Sequence, residues 1–243
     1  MMHAPSLVMF DLDDTLFAHR NAVSAGILAH RLHHGGALGA ADPNIEDARW
    51  SELEERHYHR YLAGELDFVG QRRARAREFV EPYGIDLAAD HLADEWFDHY
   101  FDHYVNAWVL HDDALACLDA LGERGIRLGI ITNGDAVFQS NKIAKLGITD
   151  RFEHIVASGD LGFAKPDPRI FHYACELFGV APERSAYVGD RLETDAIGAA
   201  NAGLTGVWLD RNHAGTSDQL SRTVSAGASV IHTLDELPVI LAL

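Results

Sequence analysis

Apolar and polar positions divide the chain into two regimes. Ser6–Phe10 is a short apolar run that reads as a buried strand, and it breaks off into Asp11-Leu12-Asp13-Asp14-Thr15. From about Val109 onward, apolar runs of strand length alternate with segments of helical period. Arg127–Ile131, His154–Ala157, Ser185–Val188 and Thr205–Leu209 read as strands. Ala136–Leu146, Pro168–Phe178 and Thr194–Ala202 read as helices, closing on Gly147, Gly179 and Gly203 as left-handed caps prefer. This alternation predicts an α/β fold, a parallel sheet covered by helices on both faces. Between about Ala18 and Ala107 the strand pattern vanishes. Asn21–His33, Asp47–Tyr61, Phe68–Tyr83 and Ala88–Tyr104 read as helices, punctuated by Gly35-Gly36 and Pro82-Tyr83-Gly84. The expected organisation is a core of residues 1–17 and 108–243 with a helical cap, residues 18–107, inserted after the first strand. An insertion at that point stands above the carboxyl ends of the strands, where open α/β sheets bind ligands. A lid is its natural role, a packing appendage the alternative.

Composition narrows the classes. A chain of 243 residues with 47% hydrophobic content can bury a sizeable core. Its formal charge of −17 disfavours sequence-independent binding to nucleic acid or to an anionic membrane. No run approaches the roughly 20 apolar residues of a membrane span, and the N-terminus lacks a secretory leader pattern. A cytoplasmic location is the expectation. Cys117 and Cys175 sit within apolar helical patterns and are expected buried and reduced.

Chemistry concentrates where the predicted strands end. Side chains alternate along an extended chain, so Asp11 and Asp13 leave on one side and Asp14 on the other. Carboxylates held that close repel, and a cation, a shared proton or both must offset the repulsion. One carboxylate free to attack and one able to carry a proton, beside a divalent metal, suit phosphoryl transfer. A capped helix start or an Asx turn is the plain alternative for this segment. Ile130-Ile131-Thr132-Asn133-Gly134 offers a hydroxyl and free backbone N–H groups beside a helix N-terminus, an anion site. Gly162-Phe163-Ala164-Lys165-Pro166-Asp167-Pro168 fixes one lysine in a loop stiffened by two prolines. Tyr187-Val188-Gly189-Asp190 places Asp190 at the sheet edge and Asp195 in the first turn of the next helix. Carboxylate oxygens with waters are what Mg²⁺ prefers.

In this order, Asp-x-Asp, Thr-Asn-Gly, Lys-Pro and Gly-Asp-x4-Asp resemble the four motifs of the haloacid dehalogenase superfamily of hydrolases. The likeness extends over the whole chain, since the helical insertion resembles that superfamily's type-one cap. Ser158-Gly159-Asp160 and Ala199-Ala200-Asn201-Ala202-Gly203 resemble its phosphatase branch with small-molecule substrates. The resemblance implies a Rossmann-like three-layer core with the Asp11 strand at the sheet centre. It implies Asp11 as nucleophile, Asp13 as acid and base, and Thr132, Asn133 and Lys165 as holders of the phosphoryl group. Asp11, the backbone carbonyl of Asp13 and Asp190 would hold Mg²⁺, with Asp195 orienting Lys165 or a metal-bound water. Asp13 speaks against a dehalogenase, whose halide leaving group needs no proton. A phosphomutase shares the motifs, and a binding or scaffold protein of the same fold is the non-catalytic alternative. The expected substrate is a small phosphate ester: a nucleoside monophosphate, a sugar phosphate or phosphoglycolate, with the Thr-Asn-Gly form leaning toward nucleotides and acylated sugar phosphates.

Other features carry less. His99 and His103 share a helix face at a spacing that can bind zinc, but no third ligand is evident, and a solvated or packing face is the expectation. His30, His33 and His34 read as a polar helix end. Arg72, Arg73, Arg75 and Arg77 form the one dense basic run. They read as a solvated face pairing with Glu78 and Glu81, or with one arginine reaching a substrate anion. Phe17, His19 and Arg20 are candidates for a pocket mouth.

Overall fold

The computed structural model describes residues 4–243. Among them the strands are β1 (Leu7–Phe10), β2 (Arg127–Thr132), β3 (His154–Ala157), β4 (Ser185–Gly189), β5 (Thr205–Leu209) and β6 (Ser229–Ile231). The helices are α1 (His19–His34), α2 (Gly36–Ala40), α3 (Pro43–Leu62), α4 (Phe68–Val80), α5 (Asp90–Asn106), α6 (Ala114–Glu123), α7 (Ala136–Lys145), α8 (Pro168–Phe178), α9 (Gly198–Asn201), α10 (Ser217–Ser225) and α11 (Leu237–Ile240). The chain divides into two compact units, residues 1–18 with 109–243, and residues 19–108. No helix among the described residues is long and apolar enough to cross a membrane.

The first unit is a Rossmann-like α/β layer structure. Its sheet runs β3-β2-β1-β4-β5-β6, with every pair parallel. All four residues of β1 are buried, as a strand covered on both faces requires. On one side Leu7, Met9, Ile131 and Tyr187 pack with Ile170, Phe171, Ala174 and Phe178 of α8. Gly129 is needed there, because a Cβ on it would lie 2.7 Å from the Phe178 ring. Register aligns the strand ends. Phe10 pairs with Ile130 on one side and Val188 on the other, so Asp11 leaves the sheet one rung below Thr132 and Asp190.

Expected and observed elements agree closely over β2–β5, α7 and α8. The sequence after Leu209 carried no expectation; it adds α10, the three-residue edge strand β6 and α11. One expected element differs. The single helix over Thr194–Ala202 is instead a π-helical turn, Leu192–Ile197, followed by the short α9. Its wide turn is closed by the Gly198 amide donating to the Glu193 carbonyl, five residues back. Two strand glycines let it lie against the sheet. A Cβ on Gly189 would sit 2.3 Å from Asp195 Cγ, and one on Gly206 would sit 2.1 Å from the Ala196 carbonyl oxygen. Such single wide turns concentrate at functional sites.

The second unit is all helical. Trp50 of α3 is fully buried, 4.9 Å from the Phe79 ring and 4.6 Å from the Tyr100 ring. Helices α1 and α5 approach so closely that a Cβ on Gly26 would lie 2.8 Å from Tyr104 Cα, which accounts for a glycine inside α1.

Candidate active site

The carboxyl ends of β1, β2 and β4 and the loop before α8 bring the motif residues together. Lys165 is the hub. Its ammonium donates to Asp11 Oδ1 at 2.7 Å, Asp195 Oδ1 at 2.7 Å and the Tyr187 hydroxyl at 2.6 Å. Three acceptors match its three N–H donors. The Tyr187 hydroxyl in turn donates to the Ile131 carbonyl at 2.8 Å, tying the lysine to β2. Asp195 Oδ2 accepts from the Arg191 amide at 2.9 Å, so both its oxygens are engaged.

Asn133 has a structural task that its motif alone did not reveal. Its Nδ2 donates to the Lys165 carbonyl, and its Oδ1 accepts from the Lys165 amide, each at 2.9 Å. A paired amide contact of this kind locks the backbone of the Lys165 loop in position. Ser158 Oγ accepts from the Gly134 amide at 3.1 Å, and the Gly134 carbonyl accepts from the Gly159 amide at 2.9 Å, joining the β3 loop to the same frame.

Asp13 has its own partners. Lys142 Nζ of α7 donates to Asp13 Oδ1 at 2.6 Å, and Gln139 Nε2 donates to Asp13 Oδ2 at 3.2 Å. The same Gln139 nitrogen donates to Thr132 Oγ1 at 2.7 Å. Asp14 adopts the left-handed region, with φ of 58°. Its charge is felt at Asp190. Neither Lys142, Gln139 nor Tyr187 was legible as a site residue. In the sequence they are ordinary positions of a helix and a strand.

The electrostatics are those of an over-charged anionic pocket. Burial pushes the Asp11 carboxyl up to about 7; Lys165 pulls it back, and Asp195 and Asp13 add repulsion. Burial, then the charges of Asp11, Asp195 and Asp14, holds Asp190 well above the usual carboxylate range. Burial alone would lower Lys165, but Asp11 and Asp195 outweigh it and keep it firmly protonated. One ammonium thus faces several buried carboxylates. Oxygens of Asp11, Asp190 and Asp195 lie within 4.8 Å of one another. An oxygen-rich, under-neutralised cluster of this size fits a hard divalent cation.

Residues 5–203 match the family model of the haloacid dehalogenase-like hydrolases. The chain belongs to that family. Among curated relatives of this hydrolase, a glyceraldehyde 3-phosphate phosphatase of Methanopyrus kandleri is 33% identical over 84% of this chain and 83% of that protein. A phosphoserine phosphatase of Thermus thermophilus is 42% identical over 102 residues, which span 42% of this chain and 41% of that relative. Among solved structures, a HAD-hydrolase of Bacillus subtilis bound to magnesium superposes with a TM-score of 0.77, at 22% identity over 98% of each chain.

In the helical unit of the hydrolase, most of the basic run is used internally. Arg73 pairs with Asp90 and Asp94, Arg77 with Asp90, and the buried Arg75 with the half-buried Glu54. Glu78, an expected partner of this run, pairs with Arg56 and His57. Arg72 lies over the rings of Phe68, Phe97 and Phe101. Burial would raise the Glu54 carboxyl, but Arg75, His19 and Arg20 hold it well below the usual range. His19 and Arg20 therefore have partners inside the helical unit, while Phe17 is buried in the core unit beside Lys142. His103 lies near His30 and His33, with ring centroids 6.1 and 6.0 Å apart, and no histidine joins a metal-type cluster among the described residues. Cys117 and Cys175 are free and buried, and burial pushes the Cys117 thiol up to about 12.

Proposed function

We propose that this hydrolase is a Mg²⁺-dependent phosphatase of small phosphate monoesters that works through a phosphorylated Asp11. One observation carries the reading. Lys165 occupies Asp11 Oδ1 and leaves the other oxygen as the nucleophile, while a second carboxyl, Asp13, stands two residues on with separate support. Asp11 Oδ2 attacks phosphorus, and the ester oxygen leaves with a proton from Asp13. Asp13 then takes a proton from the water that hydrolyses the acyl phosphate. Thr132 and the Asn133 amide hold phosphoryl oxygens, and Lys165 stabilises charge on the nucleophile and the transferring group. Asp195 and Tyr187 hold Lys165 in place. Mg²⁺, held by Asp11, Asp190 and the Asp13 carbonyl, would neutralise the phosphoryl oxygens when bound.

Asp13 favours this reading over dehalogenation, because a halide leaves without a proton. Relatives named for glyceraldehyde 3-phosphate and phosphoserine support a small substrate with one phosphate. The test is phosphate release from para-nitrophenyl phosphate and from a panel of sugar phosphates, nucleotides and three-carbon phosphates. Release is expected to need Mg²⁺ and to fall at least about 10³-fold in Asp11→Asn, a nearly isosteric change that removes the nucleophile. Equal rates with Asp11→Asn, or with the metal chelated, would overturn it.

A further inference from the structure

Two of the aspartates that follow β1, Asp11 and Asp13, each have a buried lysine. Lys165 serves Asp11, and Lys142 serves Asp13 at 2.6 Å. Lys142 and Gln139 sit one turn apart on α7, which begins directly after the Thr132-Asn133-Gly134 loop. Lys142 is 1% exposed and Gln139 2%. A lysine is seldom so buried without a dedicated partner, since its charge must leave water. Here the ammonium is flanked by the rings of Phe17, at 5.1 Å, and Phe138, at 4.9 Å, and faces the Asp13 carboxyl. Gln139 spans from Thr132 Oγ1 to Asp13 Oδ2 with one nitrogen. The acid and the phosphate-holding hydroxyl are therefore indexed to one helix, and through it to each other.

We propose that Lys142, with Gln139, is a positioning residue for leaving-group protonation. It fixes the plane of the Asp13 carboxyl and steadies the negative charge that appears on it as its proton leaves. This rests on the phosphatase reading above. In the first step the Asp11 oxygen bonds to phosphorus and the ester P–O bond breaks. The bonding pair goes to the leaving oxygen, which takes the proton from Asp13, so that Asp13 becomes a carboxylate facing the Lys142 ammonium. In the second step water gives a proton to Asp13, its oxygen bonds to phosphorus, and the acyl P–O pair returns to Asp11. The demand on Asp13 in the first step grows with the basicity of the leaving oxygen. Loss of Lys142 should therefore discriminate among esters by leaving group.

The experiment is a series of kcat/KM values, which report the first chemical step, for the full chain with Mg²⁺. The esters run from 2,4-dinitrophenyl phosphate through para-nitrophenyl phosphate to an alkyl phosphate. Lys142→Met is expected to lose about 10²-fold with the alkyl ester, the scale of general acid catalysis, and under tenfold with the dinitrophenyl ester. The loss should fall on kcat with KM nearly kept, and Lys142→Arg should restore part of it. Gln139→Leu provides an independent variant should Lys142→Met fold poorly; it should show the same slope at smaller amplitude. Losses equal across the series in the folded variants would overturn the proposal and leave the phosphatase reading intact. A wild-type protein inactive on every ester would overturn both.

Discussion

At the residue scale, the site is a contest between burial and charge. Burial first holds both Asp190 and Asp11 above the usual carboxylate range; the charges of Asp11, Asp195 and Asp14 add to the rise at Asp190, and those of Asp195 and Asp13 to the rise at Asp11 against the pull of Lys165. A carboxyl raised in the folded state destabilises the fold once pH exceeds its unfolded value. Asp190→Asn, without metal at pH 7, should therefore melt at a higher temperature than the wild type. Mg²⁺ is expected to raise the melting temperature of the wild type and not that of this variant. A lower metal-free melting point would show that Asp190 is compensated by some other group. Asp11, Thr132 and Asp190 could be picked out in the sequence because polar residues end otherwise apolar runs, and Lys165 because two prolines stiffen its loop. Lys142, Gln139 and Tyr187 could not be. Lys142 and Asp13 lie 129 positions apart, and a pattern of spacing carries periodicity, not the identity of a distant partner.

At the element scale, strand β4 supplies more than a place for Asp190. Its Tyr187 is fully buried, and its hydroxyl links Lys165 to the Ile131 carbonyl. Tyr187→Phe leaves a buried donor and a buried acceptor without that partner, at a cost of about 1–3 kcal/mol. Denaturant melts should show that loss, and kcat should fall about tenfold with KM kept; an unchanged kcat would remove Tyr187 from the support of Lys165. Strands β2–β5 were legible because parallel strands covered on both faces read as apolar runs. The π-helical turn was not, because it depends on Gly189 and Gly206 giving it room against the sheet. In the helical unit, α1 carries His30, which is 2% exposed and edge-on to Trp96 at 4.4 Å. Burial, then the charges of His103, His34, His99 and His33, lowers His30 to about 3, against an ordinary value of 6.5. The unfolded chain thus binds this proton first, and stability is lost as pH falls from about 6.5 toward 3. His57 shifts in the same direction. His30→Leu should flatten the stability profile between pH 6.5 and 4.5, above the range in which ordinary carboxylates titrate. Parallel profiles for variant and wild type would contradict this.

At the scale of the whole molecule, a chain of formal charge −17 is read as handling an anionic ester. The overall charge and the local field are separate quantities. The Lys165 ammonium, the backbone amides after β2 and a bound divalent cation can invert the field of one pocket within an acidic protein. All-parallel topology makes that possible, because it gathers the ends of β1, β2 and β4 at one edge of the sheet. The α/β architecture followed from the alternation of strands and helices, and the place of β1 inside the sheet from the resemblance carried by the motifs. The residues that choose the alcohol did not, since packing arginines and substrate-reading arginines look alike in sequence. The central claim is that Asp11 carries the phosphoryl group. The most direct measurement is rapid acid quenching after mixing with para-nitrophenyl phosphate and Mg²⁺, followed by mass spectrometry of the peptide spanning Asp11. The account predicts one added phosphoryl group on Asp11, lost on incubation with hydroxylamine and accumulating in Asp13→Asn. Turnover of the ester with Asp11 never modified, in the wild type and in Asp13→Asn alike, would contradict it.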